Sequence, residues 1–395
     1  MDIPVVTEPI SRILVVHNSY QQRGGEDCVV DAEIALLRSH GHEVETYRRH
    51  NNDVATMGAA VLATEAVWSR RTTVELSNKL DVFRPDVIHV HNTFPLISAS
   101  LYWTAAKAGI PVVQSLHNFR LVCLQAMLLR DGRPCEDCVG RLPWRGVLRR
   151  CYRSSTRESA VVAAMLGAHR ALGTYREKVS RYIALSEFSR RKLVQGGLPA
   201  ERITVKPNFV DVSGSVEAKR VGGLFVGRLS QEKGLHVLLG ALERCAGTVI
   251  RVVGAGPEAH TLDGHPYVRA LGWREREETL KEYYSAEYLV LPSVCYENFP
   301  LALVEAFACK VPVIASRLGA MAELIEDGQT GLLFDPGSAV DLAAKIKWAE
   351  ANRKHMREMG ENARIVYESK YTPEKNYRQL IAIYAAALAE SRQRD

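Results

Sequence analysis

Short apolar runs alternate with longer amphipathic stretches almost from end to end of this 395-residue chain. Residues 13–16, 87–90, 112–116 and 182–185 in the first half read as strands buried on both faces, as do 224–229, 249–253, 289–292 and 311–315 in the second. Between them, residues 27–40, 235–244 and 301–309 carry helical periodicity. Strand and helix in alternation predict an α/β chain whose parallel sheets are covered by helices on both faces. Sheets of this doubly wound kind take their ligands beyond the carboxyl ends of the strands. The pattern runs twice. A break is expected near Lys206-Pro207-Asn208-Phe209-Val210-Asp211, with Ser213-Gly214-Ser215 behind it as a linker. The expected domains are therefore 1–210 and 211–373, with a last helical segment, 374–395, packing across both. Two such domains facing each other would leave a cleft, a common place for a ligand.

Composition changes this picture little. With 47% apolar and 24% charged residues the chain is an ordinary globular one. No apolar run approaches the ~20 residues of a membrane-spanning helix. The start, Met1-Asp2-Ile3-Pro4, has neither the basic nor the apolar stretch of a secretion signal, so the cytoplasm is the expected compartment. Charge is uneven. Residues 1–210 hold 28 Lys+Arg against 20 Asp+Glu, and residues 211–395 hold 23 against 25. The first half is thus the one expected to meet an anionic partner.

The most telling stretch runs from Ser293 through Cys295-Tyr296-Glu297-Asn298-Phe299-Pro300-Leu301 to Glu305. A strand ends, a loop follows, and Pro300 stands where a first helical residue would be. A helix start there offers backbone N–H groups and a positive dipole end to a phosphate. Glu305, in the second turn, can accept two hydrogen bonds from a ribose diol. Upstream, Gly227-Arg228 ends another strand and Lys233 follows before a helix, two cations suited to a pyrophosphate without a metal ion. Ordinary surface salt bridges would look the same in isolation. In the first half, Gly24-Gly25 opens a helix after the strand ending Val16-His17-Asn18, and paired glycines let a ligand come close to backbone amides. Leu116-His117-Asn118 ends a further strand, with His89 and His91 as supports at the end of the one before it.

Taken together, Glu297 with Glu305, Gly227-Arg228 with Lys233, Gly24-Gly25 and Leu116-His117-Asn118 resemble the retaining family-four glycosyltransferases (glycosyl transferases group 1) of GT-B fold. Val253-Gly254-Ala255-Gly256-Pro257, Leu271-Gly272-Trp273 and the run from Gly328 to Phe334 add to the likeness. The resemblance implies two Rossmann-like domains facing a cleft and a nucleoside-diphosphate sugar as donor, with uridine, guanosine and adenosine left open. It implies that Arg228 and Lys233 hold the diphosphate, Glu305 the ribose, and the backbone at Gly272-Trp273 the base. Glu297, Asn298, Phe299, Pro300 and Leu301 would face the sugar, His117 would lie near it, and Gly24 and Gly25 would approach phosphates or acceptor. It further implies metal-independent transfer with retention, in which the departing phosphate takes the acceptor's proton. The family more often has glycine where Asn298 and Lys310 stand, and the first departure bears on the fit to the donor sugar.

Two other functions fit parts of the chain. A nucleotide-sugar epimerase of the same two-domain shape would need no acceptor. A nucleic-acid-binding protein could use the basic, cysteine-bearing segment 119–157, but would leave the second half without a purpose, so no nucleic acid is expected. A nicotinamide fingerprint at Gly254-Ala255-Gly256 lacks its third glycine, Ala259 standing there. Cys28, Cys245, Cys295 and Cys309 are expected as buried thiols. Cys123, Cys135, Cys138 and Cys151 are spaced Cys-x11-Cys-x2-Cys-x12-Cys, from which a structural zinc is expected. Around them, residues 130–157 hold eight arginines and three acids beside Leu142-Pro143-Trp144 and Val147-Leu148. That mixture suits anionic lipid headgroups or a lipid-linked diphosphate, as it would a solvated loop; the expected acceptor is a sugar or lipid-linked glycan, with peripheral contact to an anionic membrane at its inner face.

Overall fold

A computed structural model describes residues 10–212, 218–245 and 247–392. The linker expected at 213–215 and the start at 1–4 lie outside the described residues. Contacts divide the chain into two units. The first comprises 1–126, 136–207 and 376–395, and the second 127–135 and 208–375.

The first unit holds a six-stranded sheet of β1 (Arg12–Ser19), β2 (Glu43–His50), β3 (Val87–Val90), β4 (Val112–Leu116), β7 (Arg181–Ala184) and β8 (Ile203–Val205). A two-residue ribbon, β5 (Leu129–Arg130) and β6 (Arg133–Pro134), lies within 127–135. The sheet order is β2-β1-β3-β4-β7-β8, and every pairing is parallel. Ile13, Leu14, Val16, Val87, Ile88, Val90 and Val113 are wholly buried, as strands covered on both faces must be. In the helix Gly25–Ser39 the buried stripe runs through Val30, Ile34 and Leu37. Cys28 lies off that stripe and is exposed, which corrects the expectation of a buried thiol; Cys245, Cys295 and Cys309 are buried.

The second unit repeats the plan with β9 (Gly223–Val226), β10 (Ile250–Val253), β11 (Val268–Gly272), β12 (Tyr288–Leu291), β13 (Val313–Ser316) and β14 (Gly331–Phe334). The order is β11-β10-β9-β12-β13-β14, again all parallel. Phe225, Leu238, Ile250, Val290, Ile314 and Phe334 form part of one buried cluster between this sheet and its helices. Lys310, just past the helix Leu301–Ala308, adopts φ 59°, a left-handed conformation in which glycine is the comfortable residue. The family's preference for glycine there thus has a backbone cause.

The final helix, Pro373–Arg392, belongs from Asn376 onward to the first unit. Polar side chains anchor it there. Tyr384 Oη lies 2.7 Å from His89 Nδ1, and Lys206 Nζ lies 3.1 Å from Asn376 Oδ1. The same ammonium meets Glu33 Oε1 at 2.5 Å, with both side chains at most 2% exposed. A buried pair of this kind gains little over an apolar pair of the same shape, yet loses much when one partner goes. Lys206→Met is therefore expected to destabilise the first unit by about 3–5 kcal/mol, and Lys206→Met with Glu33→Leu to recover most of that loss. Urea unfolding of the two variants checks this; equal losses in both would contradict it.

Candidate functional site

In the first unit the candidate side chains come from three adjacent strands, because parallel pairing brings their carboxyl ends to one edge. His17 belongs to β1, His89 to β3, and His91 and His117 directly follow β3 and β4. His91 Nδ1 lies 2.8 Å from His117 Nε2, and His89 Nε2 lies 2.9 Å from Ser115 Oγ. Burial pushes the His117 imidazole down to about 3 and that of His89 to about 4, and it holds His91 well below the ordinary range. All three rings are neutral at physiological pH, so between His91 and His117 one ring nitrogen donates and the other accepts.

Behind them Glu33 Oε2 lies 3.5 Å from His91 Nε2 and 3.9 Å from His89 Nδ1. Ligand atoms of Glu33, His89 and His91 lie within 4.8 Å of one another, close enough to hold a metal ion. Lys206 already supplies the cation for that carboxylate, and both nitrogens of His89 are engaged by hydroxyls. The cluster is built as an ion pair within a hydrogen-bond network. Burial works against a charge on Glu33, but the Lys206 ammonium outweighs it and lowers the carboxyl pKa.

Gly24 caps the helix Gly25–Ser39 with extended backbone, and its N–H donates to Asp27 Oδ2 at 2.9 Å. Asp27 Oδ1 meets His17 Nε2 at 2.9 Å. A Cβ built on Gly24 would meet no protein atom within 4 Å, so the protein's own packing does not demand glycine there. Next to it, and without a role in the sequence reading, stands Glu26. Its side chain is 10% exposed and lies 4.0 Å from His17 Nδ1, and Oε2 accepts from Tyr20 Oη at 2.9 Å. Burial pushes this carboxyl up to about 7, against the attraction of His17 and the Tyr20 hydrogen bond. Arg120, also absent from the sequence reading, has its guanidinium carbon 4.7 Å from the Phe94 ring centroid and 4.9 Å from that of Tyr152. No sequence spacing signals either residue; each owes its character to burial.

In the second unit β9 delivers Gly227 and Arg228, and a short turn, Gln231–Lys233, delivers Lys233. The turn closes at Gly234 with φ 73°, where a Cβ would lie 1.9 Å from the Pro292 carbonyl oxygen. Only glycine fits a left-handed residue pressed so close to the loop after β12. That closeness joins the two sequence signals. Lys233 Nζ donates to Glu297 Oε1 at 2.6 Å, and Ser293 Oγ donates to the same oxygen at 2.7 Å. Burial acts to raise the Glu297 pKa, yet the Lys233 charge and the two hydrogen bonds prevail and lower it. Burial likewise acts to lower that of Lys233, and Glu297 reverses it. The result is a held carboxylate beside a held ammonium. Arg228 is exposed, and among the described residues it has no carboxylate partner.

Pro300 is the cap of the helix Leu301–Ala308 and not its first residue, one position from the expected place. Phe299 is buried, with its ring centroid 5.8 Å from that of Tyr371. Glu305 sits in the second turn, half-buried, and accepts from Tyr283 Oη at 3.0 Å; burial raises its pKa. Gly272 closes β11 with its carbonyl accepting from Gly254 N at 2.8 Å, and Trp273 is 66% exposed. The structure brings Lys233, Glu297 and Ser293 together, and places Arg228 and the start of the Leu301–Ala308 helix after neighbouring strands of the same sheet. Of the four clustered thiols, all half-buried, Cys135 falls in the second unit and Cys123, Cys138 and Cys151 in the first.

A family model described as glycosyltransferase family 4 matches residues 24–213, and one described as glycosyl transferases group 1 matches residues 216–366. The chain belongs to the group 1, family 4 glycosyltransferases. Phosphatidyl-myo-inositol mannosyltransferase of Mycolicibacterium smegmatis is 31% identical over 214 residues, 49% of this chain and 54% of that protein. Glycogen synthase of Mycobacterium tuberculosis is 35% identical over 135 residues, 31% of this chain and 32% of that one. This glycosyltransferase chain thus spans about half the length, or less, of the curated relatives it matches here. Among solved structures, Anabaena HepE in complex with UDP superposes with a TM-score of 0.65 at 20% identity, over 94% of this chain and 98% of that one. Sucrose-phosphate synthase from Thermosynechococcus elongatus gives 0.71 at 17% identity, over 96% and 100%. These likenesses establish the GT-B fold.

Glu26 gives the first unit a pH signature. Its folded pKa, about 7, lies above the ordinary carboxylate value of 4.5, so the folded state keeps a proton that the unfolded chain has lost. The stability this group contributes is present below that ordinary value and is lost as pH rises through about 7, on the order of 3 kcal/mol in all. Glu26→Gln is expected to escape the loss. Its melting temperature relative to the parent should rise between pH 5 and pH 8, and a constant difference would contradict the assignment.

Proposed function

We propose that the protein transfers a hexose from a nucleoside-diphosphate sugar to an acceptor hydroxyl with retention of configuration, in the assembly of a polysaccharide or other glycan. The observation that carries this reading is the Lys233–Glu297–Ser293 cluster set beside Arg228 and the start of the Leu301–Ala308 helix. Arg228 and Lys233 neutralise the departing diphosphate, and the helix start adds N–H donors to a phosphate. Glu305 takes the ribose hydroxyls while Tyr283 fixes the carboxyl from the other side. The backbone at Gly272-Trp273 lies against the base. Glu297, with one oxygen doubly engaged, and Asn298 to Leu301 receive the sugar hydroxyls.

The bond from the anomeric carbon to the phosphate oxygen breaks, and a bond from that carbon to the acceptor oxygen forms on the same face. The acceptor proton passes to the departing phosphate oxygen, so no metal-bound water or side-chain base is called for. His117, neutral at working pH, serves the sugar as a hydrogen-bonding group and not as an acid. Gly24 leaves room for a phosphate or the acceptor, and Gly25 follows it as the first residue of the helix. Anabaena HepE is described with UDP and with UDP-glucose, which makes the uridine donor the first to try here. Guanosine and adenosine donors follow. The acceptor is a sugar or a lipid-linked glycan in the cytoplasm, reached at the inner face of the membrane.

A thermal-shift series with UDP, GDP and ADP is expected to single out one nucleotide. Glu305→Ala should keep the fold and weaken that nucleotide by ~1–3 kcal/mol, the loss expected when a buried polar partner is removed. Unchanged affinity in a folded variant would sink the ribose assignment. Arg228→Ala should cut turnover by about 10²–10³-fold. Activity should survive a chelator, and a strict need for manganese or magnesium would overturn the metal-free mechanism. Product anomeric configuration, read by proton coupling, separates retention from inversion, and release of a free or isomerised sugar with no acceptor present would mark an epimerase instead. For Cys123, Cys135, Cys138 and Cys151 the proposal is a structural zinc, expected as about one equivalent in elemental analysis of protein purified without an affinity-metal step. Metal-free protein at full activity would end it.

A further inference from the structure

Between Asp137 and Glu158 the chain holds six arginines and no acidic residue. This stretch lies in the first unit and carries the short helix Trp144–Leu148. Leu142, Trp144 and Leu148 are 71%, 56% and 70% exposed. Residues four apart share a helix face, so Trp144 and Leu148 stand together. Gly146, on the opposite face, is buried, and a Cβ there would lie 2.7 Å from Leu124 Cδ1. The bare glycine seats the inner face of the helix on Leu124 and turns the tryptophan and leucine outward. Leu142, two residues before the helix, extends the same apolar group.

The arginines frame it. Arg145 has its guanidinium carbon 5.6 Å from the Trp144 ring centroid. Arg149 pairs with Asp137, and Arg153 lies 3.9 Å from Glu158. Arg141 and Arg150 are exposed and, among the described residues, have no carboxylate partner. An indole and two leucines on the surface, ringed by cations, match a bilayer's boundary between acyl chains and anionic headgroups. Nucleic acid is the poorer fit, because leucines neither stack on bases nor read their edges, and they are two of the three exposed apolar residues.

We propose that this surface docks the protein on a lipid bilayer bearing anionic phosphate headgroups. Leu142, Trp144 and Leu148 enter the headgroup–acyl boundary, and Arg141, Arg145 and Arg150 lie among the phosphates. The proposal deepens the reading of a lipid-linked acceptor and rests on it for its purpose, since docking would hold the first unit where such an acceptor is found. The docking itself needs neither donor nor acceptor.

The test is flotation of the full chain with vesicles of phosphatidylcholine alone, or with about one-third phosphatidylglycerol added. Binding is expected only to the anionic vesicles and should fall as salt is raised. Leu142→Ser, Trp144→Ser and Leu148→Ser combined should reduce binding about tenfold or more, and so, separately, should Arg141→Glu, Arg145→Glu and Arg150→Glu combined. Should the first set fail to fold, the second carries the test, with the melting temperature as the check on folding. Nucleotide-induced thermal shifts should be unchanged in both sets, so a failure of donor binding and a failure of docking are read separately. No flotation with anionic vesicles, or equal flotation of folded variants, would overturn the proposal. So would binding to a single-stranded oligonucleotide, in preference to vesicles, that the same substitutions abolish.

Discussion

Parallel pairing constrains everything else in this molecule. Neighbouring strands that all run the same way must all end on the same edge, and each return must be made by a crossover on a face of the sheet. In the first unit that rule carries His17, His91 and His117 to one edge from three adjacent strands, though 74 and 26 residues separate them along the chain. In the second it sets the turn after β9 against the loop after β12, tightly enough that Gly234 touches Pro292. Crossover helices then begin at those same edges, and their first turns present N–H groups where the strands end. The candidate residues are gathered by topology before any side chain has chosen a partner.

The two units use burial in opposite ways at these edges. In the first, desolvation wins for His89, His91 and His117, which stay neutral and can act only as hydrogen-bonding groups. Glu26 is likewise pushed toward its neutral form. Glu33 and Asp27 stay charged, the first because Lys206 stands against it and the second because His17 and the Gly24 N–H hydrogen-bond to it. In the second unit, the Lys233–Glu297 pair keeps both partners charged in spite of burial. A neutral imidazole needs no counter-charge when substrate arrives. An ammonium held by a carboxylate remains a cation available to phosphate, since a second anion only strengthens its preference for the proton.

Strand legibility followed position in the sheet. The eight apolar runs picked out in the sequence correspond to β1, β3, β4, β7, β9, β10, β12 and β13, the interior strands of the two sheets. The four that went unread, β2, β8, β11 and β14, are the edges. An interior strand is buried on both faces and must be apolar throughout, as Val87–Val90 is. An edge strand is released from that demand. β2, with the sequence EVETYRRH, mixes three buried positions with exposed and half-buried ones, and β11 is largely exposed. β14 is apolar and buried, but its four residues enter the sequence pattern only within the run from Gly328 to Phe334 that adds to the family likeness. Cys28 was misjudged for a related reason: residue type suggested burial, while the helix phase put it outside the buried stripe.

By itself the sequence determined the α/β alternation, the doubling of the pattern and the strand–loop–helix setting of Arg228, Lys233, Glu297 and Glu305. These are local properties, written in hydrophobic period and in the residues that end strands and begin helices. Tertiary structure alone decided the partners and the charges. Glu33 and Lys206 are 173 residues apart, and Lys233 and Glu297 are 64 apart. No spacing along the chain encodes such pairs, because they arise from which elements pack together. Whether Glu26 or His117 holds a proton depends on how much water packing removes from it, and that is a property of the folded surroundings and not of the residue. The final helix makes the same point: its periodicity announced a helix, but only Asn376 and Tyr384 meeting Lys206 and His89 decided which sheet it would cover.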